Sequence, residues 1–513
     1  MKVFLMYEDH DFDNGRKITP HEQVLTQDLE LNTLFDAMAN GNEFVMEVVR
    51  RAVFSSLKNP EEILYRQSIL KDCIKNPDVV RALYDIANEA IKRKGEHWWG
   101  ISSRYLSSVL SSSVSLLKML MGMLKKLRRV VDEHIGQFES KGFVRLFTML
   151  QEELDDAYFS TVETHLNELE FRDGVLISSE LGEYNQGIHY VLRRQQNKKH
   201  RWLKWYFAPS LYIHPRDDSG CTDLSKRKDR VINLAANATA QSAEHVLSFF
   251  VLLQTELAFY IGCLNLYERL SGKGEPVTFP IPFDCHERRH SFHRLYDVSL
   301  ALILEKRVVG NYVNAYDKDL IIITGANQGG KSTFLRSIGQ AQLMMQCGLF
   351  VPAESFSANI CDGVFTHYKK EEDATMKSGK LDEELERMSG IADRIKQNSL
   401  ILFNESFSAT NEREGSEIGR QIVRALLENH IKVFLVTHLY DLSRGFYEQK
   451  MNNAIFLRAE RQADGSRTFQ LAEGEPLQTS YGEDVYFNIF KPDTQLVFQD
   501  SEKTNIKRGR AMF

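Results

Sequence analysis

At 513 residues the chain exceeds what one hydrophobic core organises, so roughly two to four domains are expected. Its 43% apolar and 26% charged residues are those of an ordinary water-soluble protein, and a net charge of −6 excludes a globally basic, nucleic-acid-coating surface. Six cysteines, at 73, 221, 263, 285, 347 and 361, show no repeated short spacing, which argues for reduced cytoplasmic thiols and against a disulfide framework.

Met1-Lys-Val-Phe-Leu-Met6 runs straight into acidic residues, so no secretory leader is expected. Residues 20–100 read as helices broken by turns, with Pro20 early in a helix and restarts at Asn59-Pro60 and Asn76-Pro77. Leu106, Leu110, Val114, Leu117, Leu120, Leu124, Leu127 and Val131 recur at three- and four-residue spacing, which predicts one long amphipathic helix over 102–135. A second helical stretch is expected over 143–169, then strands at 173–178 and 187–192 around a glycine-containing turn. Residues 195–230, polar and basic with interleaved aromatics, read as an excursion or loop region. Helical periodicity returns over 231–270. Its apolar run, 246–266, is interrupted by Gln254 and Glu256, which are costly in hydrocarbon, so a buried core helix is expected and no membrane span. After the loop 271–276, a nucleotide-binding domain is expected from about residue 300.

That domain is announced by Gly325-Ala-Asn-Gln-Gly-Gly330-Lys331-Ser332, preceded by the apolar strand Leu320-Ile-Ile-Ile323-Thr324 and followed by a helical stretch. In this strand–turn–helix context the glycines let backbone N–H groups curl round phosphate oxygens at a helix N-terminus. Lys331 would reach the β- and γ-phosphates, and the Ser332 hydroxyl would ligate Mg²⁺. A second apolar strand, Leu400-Ile-Leu-Phe403, ends in Asn404-Glu405. Glu405 is the candidate general base. Asn404 stands where such sites usually carry an acid; its amide oxygen can accept from a metal-bound water but adds no negative charge, so slower turnover is expected. A third strand, Val433-Phe-Leu-Val436, ends in Thr437-His438, at the edge where ligands of parallel sheets bind.

Taken together, Thr324-Gly-Ala-Asn-Gln-Gly-Gly-Lys-Ser-Thr333, Gly348-Leu-Phe-Val-Pro-Ala353, Asp362-Gly-Val-Phe-Thr366, the 400–405 strand, Thr437-His438-Leu-Tyr-Asp-Leu442 and Ser480-Tyr-Gly482 resemble the ATPase domain of MutS-like proteins. Pro60-Glu-Glu-Ile-Leu-Tyr-Arg66-Gln67 looks like that family's lever core. The resemblance implies an α + α/β protein, a mostly helical lever and core body followed by an ABC-related P-loop ATPase domain. Residues 1–100 and 231–299 would form the core, 101–230 long helices with a clamp-like excursion carrying strands, 300–490 the ATPase domain and 491–513 a tail. It further implies a homodimer whose sites are completed in trans, ATP and Mg²⁺ as ligands, and DNA as partner. Gly325, Asn327, Gly329, Gly330, Lys331, Ser332 and Thr333 would bind phosphates and metal, with Asn404 reaching the metal through water. Glu405 would orient the attacking water, His438 would act as the switch histidine, and Ser378 would reach the partner's nucleotide. Leu381 replaces the phenylalanine usual in that trans signature. Relative to the family's mismatch readers, no Phe-x-Glu wedge is found, Phe138-Glu139-Ser140 included, so a short subfamily without the mismatch-recognition domain is expected.

Arg193, Arg194, Lys198, Lys199, Arg201 and Lys204, interleaved with Trp202 and Trp205, form the sharpest basic–aromatic cluster and the candidate DNA contact. Lys226-Arg227-Lys228 and the basic residues of 125–129 are alternatives. The spacing of Cys285-His286, His290 and His293 fits no closed four-ligand zinc site. The function expected is a cytoplasmic ATPase of DNA repair or recombination that clamps duplex, mismatched or branched DNA under ATP control. The alternative is an ATP-gated interaction scaffold with little hydrolysis and no DNA contact.

Overall fold

Several helices of the computed structural model, which describes residues 1–97, 106–172, 174–194, 211–214, 216–370, 379–462 and 466–477, begin at a capping residue legible in the sequence. Helix α1 (Pro20–Asp28) opens on Thr19, which exchanges capping-box bonds with Glu22. After α2 (Leu31–Ala39) come α3 (Glu43–Phe54), capped by Asn42, and α4 (Pro60–Lys75), where Asn59 Oδ1 accepts from the Glu61 N–H at 2.9 Å. Helices α5 (Pro77–His97) and α6 (Leu106–His134) follow, and α6 buries the predicted stripe from Leu110 to Val131.

Three expectations need correction here. The stretch 143–169 is two helices, α7 (Lys141–Glu153) and α8 (Asp156–Leu169), because the Asp155 carboxylate caps the Tyr158 N–H and restarts the chain. The first strand of the hairpin is β1 (Ile177–Leu181), four residues beyond the predicted start, paired antiparallel with β2 (Gly187–Leu192). The helix predicted from 231 is α9 (Asp218–Gly272), so 218–230, read as loop, is helical and capped by Asp217. Its 55 residues span about 80 Å at 1.5 Å per residue.

Beyond α9 the order is β3 (Ile281–Phe283), β4 (His290–Leu295), α10 (Val298–Ile303), β5 (Asn311–Asn314), β6 (Leu320–Gly325), α11 (Lys331–Gln346), β7 (Ser355–Asn359) and β8 (Val364–Tyr368). Then follow α12 (Lys380–Ala392), β9 (Leu400–Asn404), α13 (Glu412–Glu428), β10 (Lys432–Val436), α14 (Tyr440–Glu448), β11 (Ala454–Arg461) and β12 (Arg467–Glu473). The chain forms two compact units: Met1–Tyr316 with Arg336–Val364, and Asp317–Leu335 with Phe365–Phe513. The division falls at 316/317, with 336–364 in the first unit.

The first unit carries the helices α1–α10, the hairpin, and a four-stranded sheet of order β3-β7-β4-β5. Helix α9 packs against α2, α3, α5 and α6, and 78% of its apolar window is buried. By length and composition α6 and α9 are both apolar enough to cross a membrane, but the burial of α9 is that of a core helix. The polar interruptions of its apolar run have internal partners. Gln254 donates to Asn88 Oδ1 at 2.7 Å, and the fully buried Glu256 carboxylate accepts the N–H groups of Leu5, Met6 and Phe12 at 2.5, 3.0 and 3.2 Å. Burial pushes the Glu256 carboxyl up to about 7, although the three N–H donors pull the other way.

The segment that resembles the lever core also has a physical explanation. Arg66, fully buried, donates from Nε and a terminal nitrogen to Met6 O (3.1 and 2.8 Å) and from the other to Cys347 O (3.0 Å). Its stem lies against Gly348, where φ is +80° and a Cβ would sit 2.7 Å from Arg66 Cβ. Only glycine fits there.

The second unit is built on a six-stranded sheet of order β12-β11-β6-β10-β9-β8. Strands β11, β6, β10 and β9 run parallel, and β12 returns antiparallel on β11. Leu320 and Ile322 of β6, Ile401 and Phe403 of β9, and Val433 and Leu435 of β10 share one face, packed with Met388, Val423, Leu442 and Phe446 from α12–α14. Ile321, Ile323, Leu402, Phe434 and Val436, alternating with them, are buried too, as expected for parallel strands covered on both faces.

Candidate nucleotide site

The parallel register places Val436 opposite both Ile323 and Asn404, so β6, β10 and β9 end at one level with β10 between the other two. The loops leaving those ends carry the residues flagged in the sequence. After β6 the chain turns through positive φ at Gly325 (+106°), Gln328 (+58°) and Gly330 (+85°). A Cβ at Gly325 would lie 2.8 Å from Ala459 N of β11, and one at Gly329 would lie 2.7 Å from Ala459 Cβ and 2.8 Å from Ala326 O. Neighbouring backbone therefore demands glycine at 325 and 329. The Phe334 N–H donates to Gly330 O at 2.9 Å, starting α11 at the end of the loop, with Asn327 exposed and Thr333 half-buried.

Lys331, only 6% exposed, donates from Nζ to Gly325 O (3.0 Å) and Ala326 O (2.9 Å). Burial pulls its pKa below the ordinary lysine value; Glu405 opposes that shift and Arg467 of β12 adds to it. Lys331, Glu405 and Arg467 therefore share one electrostatic neighbourhood. Ser332, exposed, donates from Oγ to Asn404 Oδ1 at 2.9 Å. Glu405 adopts φ +54°, and its N–H donates to Val436 O at 2.9 Å. Thr437 is buried and donates its N–H to Ile323 O (3.1 Å), which leaves His438 exposed beyond the end of β10.

The fold thus gathers the 325–333 loop, Asn404, Glu405 and His438 at one sheet edge. The paired oxygens of Ser332 and Asn404 are the hard donors Mg²⁺ prefers, so the residues present fit that ion, with no carboxylate among this pair. Ser378 and the Ser480-Tyr-Gly482 motif lie outside the described residues.

The basic clusters are a different case. Lys198, Lys199, Arg201, Lys204, Trp202 and Trp205 lie outside the described residues. Arg193 donates to Ser178 Oγ at 2.9 Å, and Arg194 pairs with Glu168. In the alternative patches, Lys125 pairs with Glu163, Lys126 with Glu89, Arg128 with Asp132 and Arg227 with Asp223. Cys285 and His286 come together with Asp284, their ligand atoms within 4.8 Å of one another, but Asp284 Oδ1 already caps the His286 N–H. His290 and His293 are not part of that exposed group.

Sequence reasoning missed Arg467 and His367. His367, in β8, is 1% exposed and bonds Ser406 and Glu384 O, beside Glu405 in the chain. Nothing in Val364-Phe-Thr-His-Tyr368 distinguishes it from an ordinary strand histidine; the signal is the adjacency of β8 and β9.

Comparison with known proteins matches residues 58–273 to the MutS2 N-terminal domain and residues 321–505 to MutS domain V. The putative endonuclease MutS2 of Bacillus subtilis (strain 168) is 27% identical over 279 residues, covering 52% of this chain and 34% of that protein. The endonuclease MutS2 of Lacticaseibacillus casei (strain BL23) is 33% identical over 187 residues, 36% of this chain and 23% of its own length. The DNA mismatch repair protein MutS of Clostridium botulinum (strain Alaska E43 / Type E3) is 33% identical over 133 residues, 25% and 14% respectively. The chain therefore spans between 14% and 34% of the length of these relatives.

Proposed function

This chain belongs to the MutS family, and from that membership we propose that it is an ATPase that binds or clamps DNA under nucleotide control. The observation that carries the reading is the buried, loop-held Lys331 beside Glu405, at the common edge of three parallel strands. Backbone N–H groups of 325–333 and the Lys331 ammonium would grip the β- and γ-phosphates, with the N-terminus of α11 adding its partial positive charge. Ser332 would hold Mg²⁺ directly and Asn404 through water; when bound, that ion neutralises charge developing on the phosphates. Glu405 would orient the attacking water, and His438, exposed at the end of β10, would contact the γ-phosphate. Ser378 would complete the partner's site in a homodimer.

On this reading the protein works in the cytoplasm in repair or recombination, and Arg193, Arg194, Lys198, Lys199, Arg201 and Lys204 contribute phosphate contacts. The test is an ATPase assay with no DNA, homoduplex, mismatched duplex and four-way junction. Stimulation by one of them identifies the substrate class; equal rates with all four remove the DNA half of the proposal. One observation favours the alternative of a slow, ATP-gated scaffold: Ser332 and Asn404 are bonded to each other and supply no anion to the metal. Tight ATP retention with negligible turnover and no salt-sensitive DNA binding would favour that reading.

A further inference from the structure

The loop that follows β9 is held from outside the strand. Glu405 and Phe407 both have positive φ, +54° and +62°, a conformation that a side chain with a β-carbon disfavours. Ser406 between them is 1% exposed, and its Oγ lies 2.7 Å from His367 Nδ1 and 2.6 Å from His367 O. On the other side of the ring, His367 Nε2 lies 2.9 Å from Glu384 O, a carbonyl of α12 that can only accept. Nε2 therefore carries a proton. Burial pulls the imidazole down to about 4, so the ring is neutral and Nδ1 is bare. The Ser406 hydroxyl proton is then divided between Nδ1 and His367 O. The result is a directed chain from the Ser406 hydroxyl, through the imidazole, to the backbone of α12.

A second contact runs in parallel. The Phe407 ring stacks on His367 at 5.3 Å and 19°. Helix α12 thus reaches two consecutive residues of this loop through His367, Ser406 by the hydrogen bond and Phe407 by the stacked ring. Both follow immediately on Glu405, whose own N–H is fixed to Val436 O.

We propose that His367 is a positioning residue that ties helix α12 to Glu405, so that the setting of α12 governs ATP hydrolysis without governing ATP binding. The inference rests on the ATPase reading for its kinetic half. It names a regulatory path inside the second unit: a displacement of α12 draws the imidazole away from Ser406, frees the left-handed loop and swings the Glu405 carboxylate off the attacking water. The phosphate-gripping residues 325–333 make none of these contacts.

His367→Asn keeps a polar atom near the Nδ1 position but is too short to reach Glu384 O, and Ser406→Ala cuts the chain at its other end. Each is expected to lower kcat about tenfold or more while ATP Kd stays within about twofold of wild type. An unchanged kcat in His367→Asn, or an ATP affinity that falls in step with kcat, overturns the proposal. Deuterium uptake decides the tie independently of turnover. In His367→Asn, peptides covering 380–392 and 400–411 should both exchange faster; an increase in only one of them, or in neither, refutes the coupling. Should wild type hydrolyse ATP no faster than Lys331→Ala, the ATPase reading fails, while the exchange result still decides whether α12 and the loop are tied.

Discussion

Replacing Glu256 with glutamine should remove a pH dependence that this carboxylate builds into the helical unit. The group is fully buried on α9 and receives the N–H groups of Leu5, Met6 and Phe12, with no cation among its hydrogen-bond partners. Burial raises its pKa from 4.5 to about 7. Because the folded value lies above the unfolded one, the folded chain binds more protons between them, and stability falls as pH rises through that window. The stabilisation is complete below about 4.5 and lost above about 7, amounting in full to roughly 3 kcal/mol. Between pH 6 and pH 8 the remaining loss is about 1 kcal/mol. The assay is urea denaturation of wild type and Glu256→Gln at both pH values, with deuterium uptake in residues 1–12 as the local reading. Wild type should lose about 1 kcal/mol more than the variant over that step, and its N-terminal segment should open further at pH 8. Parallel pH slopes in the two proteins would refute the reasoning.

Three further substitutions probe other contacts. Gly325→Ala must place a Cβ 2.8 Å from Ala459 N at φ +106°, so the loop has to shift, and equilibrium binding should show ATP affinity falling more than about tenfold; unchanged affinity contradicts the loop geometry. Arg66→Met leaves Met6 O and Cys347 O without their buried donors and should cost about 2–4 kcal/mol in urea denaturation, a loss below about 1 kcal/mol counting against the hub. Asn404→Asp puts an anion beside Ser332 Oγ and should lower the Mg²⁺ concentration for half-maximal ATPase by about tenfold, so an unshifted Mg²⁺ titration would remove Asn404 from the metal site.

The glycine loop is legible because its close approaches, Gly325 to Ala459 N and Gly329 to Ala326 O and Ala459 Cβ, admit no side chain, and such demands leave a fixed spacing in the chain. Helix starts at Thr19, Asn59 and Asp155 carry side-chain caps, but apolar periodicity continues across Asp155 and hides that start. The first turns of α9 read as loop because 218–227 is exposed almost all round and offers no apolar stripe. The four-stranded sheet leaves little signal in the sequence: its strands are three to six residues long, and β3 pairs with β7 across more than seventy positions of chain. His367 and Arg467 acquire meaning from strand order alone. No pattern near either residue says that β8 lies beside β9, or that β12 approaches the loop around Lys331.

The most direct test of the account is ATP turnover by the purified protein and its Lys331→Ala variant, side by side with Mg²⁺ present. The account predicts measurable hydrolysis by wild type and a loss of at least about a hundredfold in the variant, since the buried ammonium is the cation built into the loop. Equal rates in the two proteins would contradict it.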